Sequence, residues 1–235
     1  MRILGVIAAR GGSKGIPRKN LASLLGKPLL YYTVQAAQSS RRLTRIILSS
    51  DDTEIISVGQ QLGVDVPFIR PSHLAGDEVG STEVILHAVQ YVEAEENRAY
   101  DFIFLLEPTA PLRTAQDIDA AISLLENSNA DSIVSVARVE EPHPVKMMVV
   151  KEEGLFPFIP DRWHERLRRQ ELEPVYYVNG AVYCVRRGVL LTQQSLWGNE
   201  TLAYIMPPER SVNIDSKLDL MLAELILTRT GGAGL

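Results

Sequence analysis

The chain has 235 residues, 46% of them hydrophobic and 23% charged, with a formal net charge of −5 at pH 7. That length and composition indicate a globular protein with one large α/β domain, or one domain with a small excursion. The acidic balance argues against general nucleic-acid binding, which requires a basic surface, and the single cysteine, Cys184, excludes an internal disulfide.

The amino terminus does not have the pattern of a targeting segment. The apolar part of MRILGVIAAR is too brief for a secretion signal, and Arg10 interrupts it before any cleavage region. No segment approaches the roughly 18 consecutive apolar residues needed to span a bilayer. We therefore expect a cytoplasmic protein whose partners include neither a membrane nor nucleic acid.

Strand and helix patterns alternate along the first 140 residues. Apolar runs predict strands at ILGVIAA, RIILSS, DVPFIR, DFIFLLE and DSIVSVARV. Amphipathic patterns predict helices from Pro28 to Gln38, in DTEIISVGQQLG up to Gly63, in STEVILHAVQYVEAEE with Ser81 or Thr82 as N-cap, and in TAQDIDAAISLLENS. This alternation predicts parallel strand pairing with helices on both faces of the sheet.

The alternation breaks at residues 140–178, a segment rich in proline that contains the basic cluster ERLRRQ. Its runs MMVV and LFPFI are apolar enough to pack, so we predict an excursion from the sheet, either a lid or a subunit contact. The alternation resumes with GAVYCVRR, a helix from Val189, YIMP and the helix KLDLMLAELIL. We therefore assign residues 1–139 and 179–228 to one nucleotide-binding domain and residues 229–235 to a frayed tail.

The stretch IAARGGSKGIPRKN places Arg10, Lys14, Arg18 and Lys19 in one glycine-rich turn of an acidic chain. A solvated surface loop can hold several cations, because water and salt screen them. Glycines also let a backbone approach oxygen atoms closely while cations neutralise phosphate charge, which favours a phosphate-binding loop. The spacing matches neither a Walker loop nor a dinucleotide fingerprint, so the turn alone does not identify the phosphate.

Two further loops follow predicted elements at positions where open parallel sheets bind ligands. In LLEPTAPLR, two prolines stiffen the turn, and Glu107 either faces a site or is an ordinary charge at the strand end. In SVNIDSKLDL, Asp215 precedes a helix and is either its N-cap or a ligand of Mg²⁺. Both alternatives remain open for each carboxylate.

Five segments in this order, AARGGSKGIPRKN, RPSHLAGD, LLEPTAPLR, VNGAVY and NIDSKLDL, resemble the CMP-sialic acid synthetases, which are cytidylyltransferases that activate nine-carbon acidic sugars. The resemblance covers about residues 3 to 227. It implies a Rossmann-like, mostly parallel sheet, a homodimer built partly through an excursion like that at 140–178, and Mg²⁺ as cofactor. The implied reaction converts CTP and a sugar acid to CMP-sugar and pyrophosphate.

The resemblance also implies roles for individual residues. Those matching the nucleotide site are Arg10, Gly11, Gly12, Ser13, Lys14, Lys19 and Asn20 at the triphosphate, with Arg70 and Ser81 near the cytosine and ribose. Those matching the sugar site are Glu107, Tyr177 and Asn179, with Lys146 and Arg169 reaching the neighbouring subunit's site. Asp215, with Asn213, matches the magnesium site, and the residues expected to act in the reaction are Arg10, Lys19, Glu107 and Asp215.

Three positions depart from the family pattern. Asn213 replaces an aspartate, which should weaken Mg²⁺ binding unless Asp215 and CTP carry most of it. Tyr177 stands where enzymes for N-acetylneuraminate often have arginine, and Glu107 stands in for glutamine, so legionaminate or pseudaminate is as plausible a substrate as sialic acid. The alternatives are a cytidylyltransferase for the eight-carbon acid Kdo, another sugar-nucleotide enzyme, or a catalytically silent CTP-binding protein.

Overall fold

The computed structural model describes residues 1–160 and 171–230. The strands are β1 (Ile3–Ala8), β2 (Ser23–Leu24), β3 (Lys27–Pro28), β4 (Arg45–Ser49), β5 (Phe102–Leu106), β6 (Ser132–Arg138), β7 (Met148–Lys151), β8 (Gly154–Pro157), β9 (Tyr176–Arg186) and β10 (Thr201–Met206). The helices are α1 (Leu29–Gln38), α2 (Thr53–Gln61), α3 (Ser81–Glu96), α4 (Ala115–Glu126), α5 (Arg187–Gln193) and α6 (Lys217–Arg229).

Six strands form one central sheet in the order β10-β6-β9-β5-β1-β4. The pairs β1–β4, β1–β5 and β6–β10 are parallel, which confirms the mostly parallel α/β fold. Helices α1, α2 and α4 contribute to the core on one face of the sheet, and α3 and α5 contribute to the core on the other. The carboxyl ends of the parallel strands therefore meet at one edge of a sheet covered on both faces.

Strand β9 runs opposite to its neighbours β5 and β6, although the alternation of elements predicted parallel pairing. The chain leaves β6 and returns as β9 at the same edge of the sheet, where Arg138 pairs with Tyr176, so β9 runs back antiparallel to β6. Tyr176 already pairs with Arg138, so residues 176–178, predicted in the excursion, belong to the sheet. The excursion therefore ends before Tyr176 and not at residue 178 as predicted.

The β6–β9 ladder is broken by an irregularity between Val134 and Val136. Opposite this break, Gly180 has a φ of +72°. The hydroxyl of Ser135 fills the gap by donating to Asn179 Oδ1 at 2.6 Å and accepting from the amide of Val182 at 2.7 Å. The irregularity shifts the register of the first residues of β9, which lie at the carboxyl end of β6.

Two local predictions are wrong. DVPFIR forms no strand, because only Asp65 makes an isolated bridge, to Ile47. Helix α3 is capped at Gly80, whose amide donates to the Glu83 carboxylate at 2.9 Å, so Ser81 is its first residue and neither Ser81 nor Thr82 is the cap.

A separate apolar cluster lies beside α6 and joins three loops that the sequence singled out. It contains Ile16 from the glycine-rich turn, Leu112 from LLEPTAPLR, and Val212 and Ile214 from SVNIDSKLDL. The amide of Ile214 also donates to the carbonyl of Thr109 at 2.7 Å. These loops are thus fixed relative to each other by packing as well as by the strands they follow.

The described part of the excursion contains the antiparallel hairpin β7–β8, which stands apart from the central sheet. Its apolar side chains are exposed in this single chain, including Val150 at 72% and Phe158, just beyond β8, at 59%. No helix in residues 1–160 or 171–230 combines the length and apolar character that crossing a bilayer requires.

Candidate active site

A cleft of about 510 Å³ opens at the carboxyl ends of β1 and β5. Its walls are Ala8, Arg10, Ser13, Lys14, Gly15, Lys19 and Asn20 from the first loop; Arg70, Leu74, Gly76, Asp77, Val79, Ser81 and Val84 from the segment leading into α3; Glu107, Pro108 and Thr109; and Asn213 and Asp215. Four of the five segments that carry the resemblance therefore meet in one concave site, as expected for an open parallel sheet.

The glycine-rich turn divides its four cations between two places. Arg10, Lys14 and Lys19 line the cleft. Arg18, at a left-handed backbone position with φ of 54°, instead pairs with Glu54 at 2.6 Å, near the start of α2. The three cations in the cleft are those that the resemblance assigned to the triphosphate.

Acidic side chains pair with these cations. Asp77 accepts from Arg10 Nη1 and from Lys14 Nζ, both at 2.8 Å, and these bonds hold its pKa below the usual range. Lys19 Nζ lies 2.8 Å from Asp215 Oδ1. A polyanion that bound in the cleft would therefore compete with the carboxylates of Asp77 and Asp215 for these three cations.

Close packing fixes the backbone of the turn. A Cβ on Gly11 would lie 2.8 Å from Asp52 Oδ2, and one on Gly15 would overlap the carbonyl oxygen of Asp215. Gly12 has open space around it. Asn20 is buried and donates to the carbonyl of Arg10 at 2.9 Å, so its described bond is to the loop itself.

Arg70 and Ser81 line the cleft on the side of α3. Arg70 is buried, and its guanidinium donates from Nε to Ser49 Oγ at 3.0 Å and from Nη2 to the Ser49 carbonyl at 2.6 Å. Burial lowers its pKa to about 10, with the charge of Asp51 acting in the opposite direction. The side chain is thus held rigidly by the end of β4.

Glu107 extends from the end of β5 to the foot of the cleft. A Cβ on Gly180 would lie 3.1 Å from Glu107 Oε2 and 2.6 Å from Asn213 Nδ2, so both side chains lie against the glycine backbone. Burial raises the pKa of Glu107, while the charges of Arg113 and Lys19 oppose that shift. Because burial outweighs the two cations, this carboxylate is better suited than an exposed one to accept or hold a proton.

Asp215 is not the helix cap. Ser216 caps α6, accepting from the Asp219 amide at 3.4 Å, and the Asp215 side chain is exposed in the cleft. Asn213 Oδ1 is buried without a hydrogen-bond partner among the described residues. The carboxylate of Asp215, which pairs with Lys19, and the amide oxygen of Asn213 are oxygen donors of the kind that Mg²⁺ prefers, and Mg²⁺ binds few protein ligands and takes the remainder from phosphate and water. Within the described ranges, no cluster of three His, Cys, Asp or Glu forms a metal site.

Of the described residues predicted for the sugar, Glu107 lines this cleft, and Asn179, Tyr177 and Lys146 do not. Asn179 is fully buried: its amide group donates to Ser211 Oγ at 2.9 Å, so its side chain supports the β9 irregularity. Tyr177 is exposed at the start of β9, and Lys146 pairs with Glu141 at 3.2 Å in the excursion. Arg169 lies outside the described residues.

Two residues at the site were not singled out from the sequence. Asp77 holds two of the cleft cations, and Arg113 is completely buried behind Glu107. Both lie at the end of a segment already quoted for the resemblance, RPSHLAGD and LLEPTAPLR. The signal available for Asp77 was an acidic residue in a segment matched to the nucleotide site. The signal available for Arg113 was an arginine at the end of an apolar turn.

Comparison with known proteins gives consistent matches over most of the chain. The family model described as Cytidylyltransferase matches residues 4–206. The pseudaminic acid cytidylyltransferase of Campylobacter jejuni is 30% identical over 96% of both chains. The N-acylneuraminate cytidylyltransferase of Escherichia coli is 32% identical over 94% of this chain and 51% of its own length.

A third relative is the CMP-N,N'-diacetyllegionaminic acid synthase of Legionella pneumophila, 29% identical over 97% of both chains. Among solved structures, CMP:2-keto-3-deoxy-manno-octonic acid synthetase complexed with CTP has a TM-score of 0.71 at 16% identity. The match covers 98% of this chain and 100% of that one. The structural likeness at that identity supports the fold.

Proposed function

The chain belongs to the cytidylyltransferase family, and from this premise we propose that it activates a nine-carbon acidic sugar with CTP, releasing CMP-sugar and pyrophosphate. The observation that carries the proposal is that three of the four cations of the glycine-rich turn face the cleft. Arg10, Lys14 and Lys19 face it, and Arg18 from the same turn does not. That arrangement suits a triphosphate and would be without purpose in a solvated surface loop.

In the proposed reaction, the anomeric hydroxyl of the sugar attacks the α-phosphorus of CTP in line with the leaving pyrophosphate. A new phosphorus–oxygen bond forms, the bond to pyrophosphate breaks, and the hydroxyl proton is released. Because negative charge builds on the phosphate oxygens, positioning and electrostatic stabilisation dominate. Arg10, Lys14 and Lys19 would carry that charge, and Arg70 and Ser81 would border the nucleoside.

Glu107 is the residue proposed to orient the sugar hydroxyl or to accept its proton. Its raised pKa and its place beside Lys19 support either role. The variant Glu107→Gln separates them, since an amide can orient a hydroxyl but cannot take a proton. Turnover within a few-fold of wild type would exclude an obligatory base.

Mg²⁺ is proposed as the cofactor, held by Asp215 and by the free oxygen of Asn213, with phosphate oxygens completing its coordination. When bound, it would neutralise triphosphate charge and polarise the phosphoryl group. Lys19 Nζ lies 2.8 Å from Asp215 Oδ1, so a bound cation would compete with Lys19 for this carboxylate, and Lys19 released from it would be able to contact phosphate.

The substrate is proposed to be a nonulosonic acid, because the relatives are named for pseudaminic, N-acylneuraminic and legionaminic acids. Asn179 supports the proposed sugar side indirectly, by fixing β9. Tyr177, Lys146 and Arg169 remain proposed contacts, the last two to a neighbouring subunit's site in a homodimer. The exposed apolar side chains of the β7–β8 hairpin support such an interface.

The decisive experiment measures pyrophosphate release with CTP, Mg²⁺ and a panel of pseudaminic, N-acetylneuraminic, legionaminic and Kdo acids. Arg10→Ala should lower turnover by about 10²- to 10³-fold, as loss of one transition-state donor does. Arg18→Ala, in the same turn but outside the cleft, is the matched control and should stay near wild type.

Each alternative has its own outcome in this assay. Turnover with Kdo alone would replace the nine-carbon substrate by the eight-carbon acid. CTP binding without turnover on any acid would indicate a catalytically silent protein. Equal activity in the two arginine variants would remove the cleft cations from the proposed mechanism.

A further inference from the structure

Arg113 is the largest fully buried side chain and carries a guanidinium with none of its surface exposed. Its Nη1 donates to the carbonyl of Ala181 at 2.6 Å and to that of Glu107 at 3.3 Å, and its Nη2 donates to Thr33 Oγ1 at 2.7 Å. Its Nε has no hydrogen-bond partner among the described residues. Three bonds to neutral oxygens hold this buried cation without a direct carboxylate partner.

The position of the guanidinium follows from the register of the sheet. Antiparallel pairing of β5 with β9 ends at Leu105 opposite Tyr183. Two residues further, the same register would place Glu107 opposite Ala181, and these are the residues whose carbonyls share Arg113 Nη1. The Arg113 side chain therefore lies where the next hydrogen bond between β5 and β9 would form, at the point where these two strands separate.

This separation lies directly at the foot of the cleft. Glu107 carries the proposed reactive carboxylate, and Gly180, beside Ala181, is the backbone against which that carboxylate rests. Thr33 reinforces the arrangement, because its hydroxyl also donates to the Glu107 carbonyl at 3.3 Å. The spacing between the two strands at this level sets where the carboxylate of Glu107 points.

We infer that Arg113 is a positioning residue for the reaction, inserted between β5 and β9 to fix Glu107 against Gly180. The inference rests on the proposed function, because the group that it positions, the carboxylate of Glu107, acts in the proposed reaction. A neutral packing residue could fill the same volume with less desolvation, whereas the forked guanidinium bonds carbonyls of both strands through Nη1 and, through Nη2, the Thr33 hydroxyl of α1. The positive charge of Arg113 also lowers the pKa of Glu107 and so favours its ionised form.

The test compares Arg113→Lys with Arg186→Lys. Arg186 is a matched control, because its guanidinium also donates to main-chain carbonyls, those of Ala130, Leu125 and Ser128, at the opposite end of β9. Folded fraction is measured by circular dichroism and CTP affinity by calorimetry, and kcat and the KM for CTP are measured with the best acid of the panel. Lysine retains the charge and loses the fork.

Arg113→Lys should lower kcat by about 10- to 100-fold, as expected for a reacting group displaced by about 1 Å, while its CTP affinity stays within 3-fold of wild type. Arg186→Lys should keep kcat within 3-fold. If Arg113→Lys does not fold, Thr33→Val removes one bond to each of Arg113 and Glu107, and it should lower kcat at least 5-fold. Added guanidinium ion should raise kcat of Arg113→Ala more than that of Arg186→Ala.

Wild-type kcat in Arg113→Lys, or in Thr33→Val where the lysine variant is unfolded, would overturn the inference. So would a loss no larger than that of the control at the other end of β9. Failure of the proposed function is distinguishable, because the wild-type protein itself would then release no pyrophosphate with any acid.

Discussion

Replacing Gly180 by alanine tests whether the junction of Glu107, Asn213 and β9 is as close as the structure describes. The φ of +72° costs a non-glycine residue about 1–2 kcal/mol. The new Cβ would lie 2.6 Å from Asn213 Nδ2, and moving that side chain off its rotamer costs about 0.5–1.5 kcal/mol. The lower entropy of the unfolded alanine chain returns about 0.4–1 kcal/mol.

The net loss in the free energy of unfolding is therefore about 0.5–3 kcal/mol. For a chain of this size, that corresponds to a fall in melting temperature of about 1–12 °C. We also expect kcat to fall by at least 10-fold, because either Glu107 or Asn213 must move to admit the methyl group. Thermal unfolding and steady-state pyrophosphate release measure the two effects on the same preparation.

Gly188→Ala is the matched control for this variant. Gly188 lies in helix α5 with open space where its Cβ would point, so alanine should raise stability by up to about 1 kcal/mol and leave kcat unchanged. A Gly180→Ala protein that melts at the wild-type temperature with full kcat would refute the reasoning. A stability loss with unchanged kcat would mean that neither side chain at the junction serves the reaction.

Three further predictions concern charged residues: two in the cleft, Asp77 and Glu107, and one in the ion pair of Arg210 with Asp117. Asp77→Asn should lower the KM for CTP by about 2- to 5-fold at low salt, because the triphosphate no longer displaces Asp77 from Arg10; a higher KM would contradict this. Glu107→Gln should melt above wild type at pH 8, with the gap closing toward pH 4, because burial raises the pKa of Glu107 and ionisation disfavours the folded state; a gap independent of pH would exclude the shift. Arg210→Met should lower the free energy of unfolding by about 1–3 kcal/mol in urea titrations at pH 7, because the buried carboxylate of Asp117 loses two bonds. Burial raises the pKa of Asp117, but its bonds to Arg210 and Thr114 hold the pKa below the usual range. The stability loss caused by Arg210→Met should therefore shrink as the pH falls through the pKa of Asp117 in the folded protein. An unchanged free energy of unfolding at pH 7 would show that the pair does not stabilise the fold.

Much of the fold follows from local patterns that the sequence states directly. Alternating strand and helix patterns predicted the covered parallel sheet, and buried runs such as FIFLL became its centre. The direction of β9 could not be predicted this way, because it depends on where the excursion returns. The strand expected at DVPFIR does not form, because Phe68 packs against His87 and Tyr91 of α3 and only Asp65 makes a bridge to the sheet.

The cleft was predicted from residue types that neighbour each other in the chain. Arg10, Lys14 and Lys19 were identified because cations beside glycines suit phosphate. Arg18 could not be distinguished from them by composition, since only its left-handed backbone turns it toward Glu54. Arg113 was missed because its function depends on strand separation, which is a property of two distant segments.

The excursion begins and ends at one point of the sheet. Arg138 pairs with Tyr176, and the next amide, of Val139, donates to the carbonyl of Val175 at 2.9 Å. A segment closed at such a neck behaves as an exchangeable module, and doubling its length adds only about 0.6 kcal/mol of closure entropy. The proposed sugar and subunit contacts of the excursion could therefore diverge within this module while the central sheet and the cleft are retained.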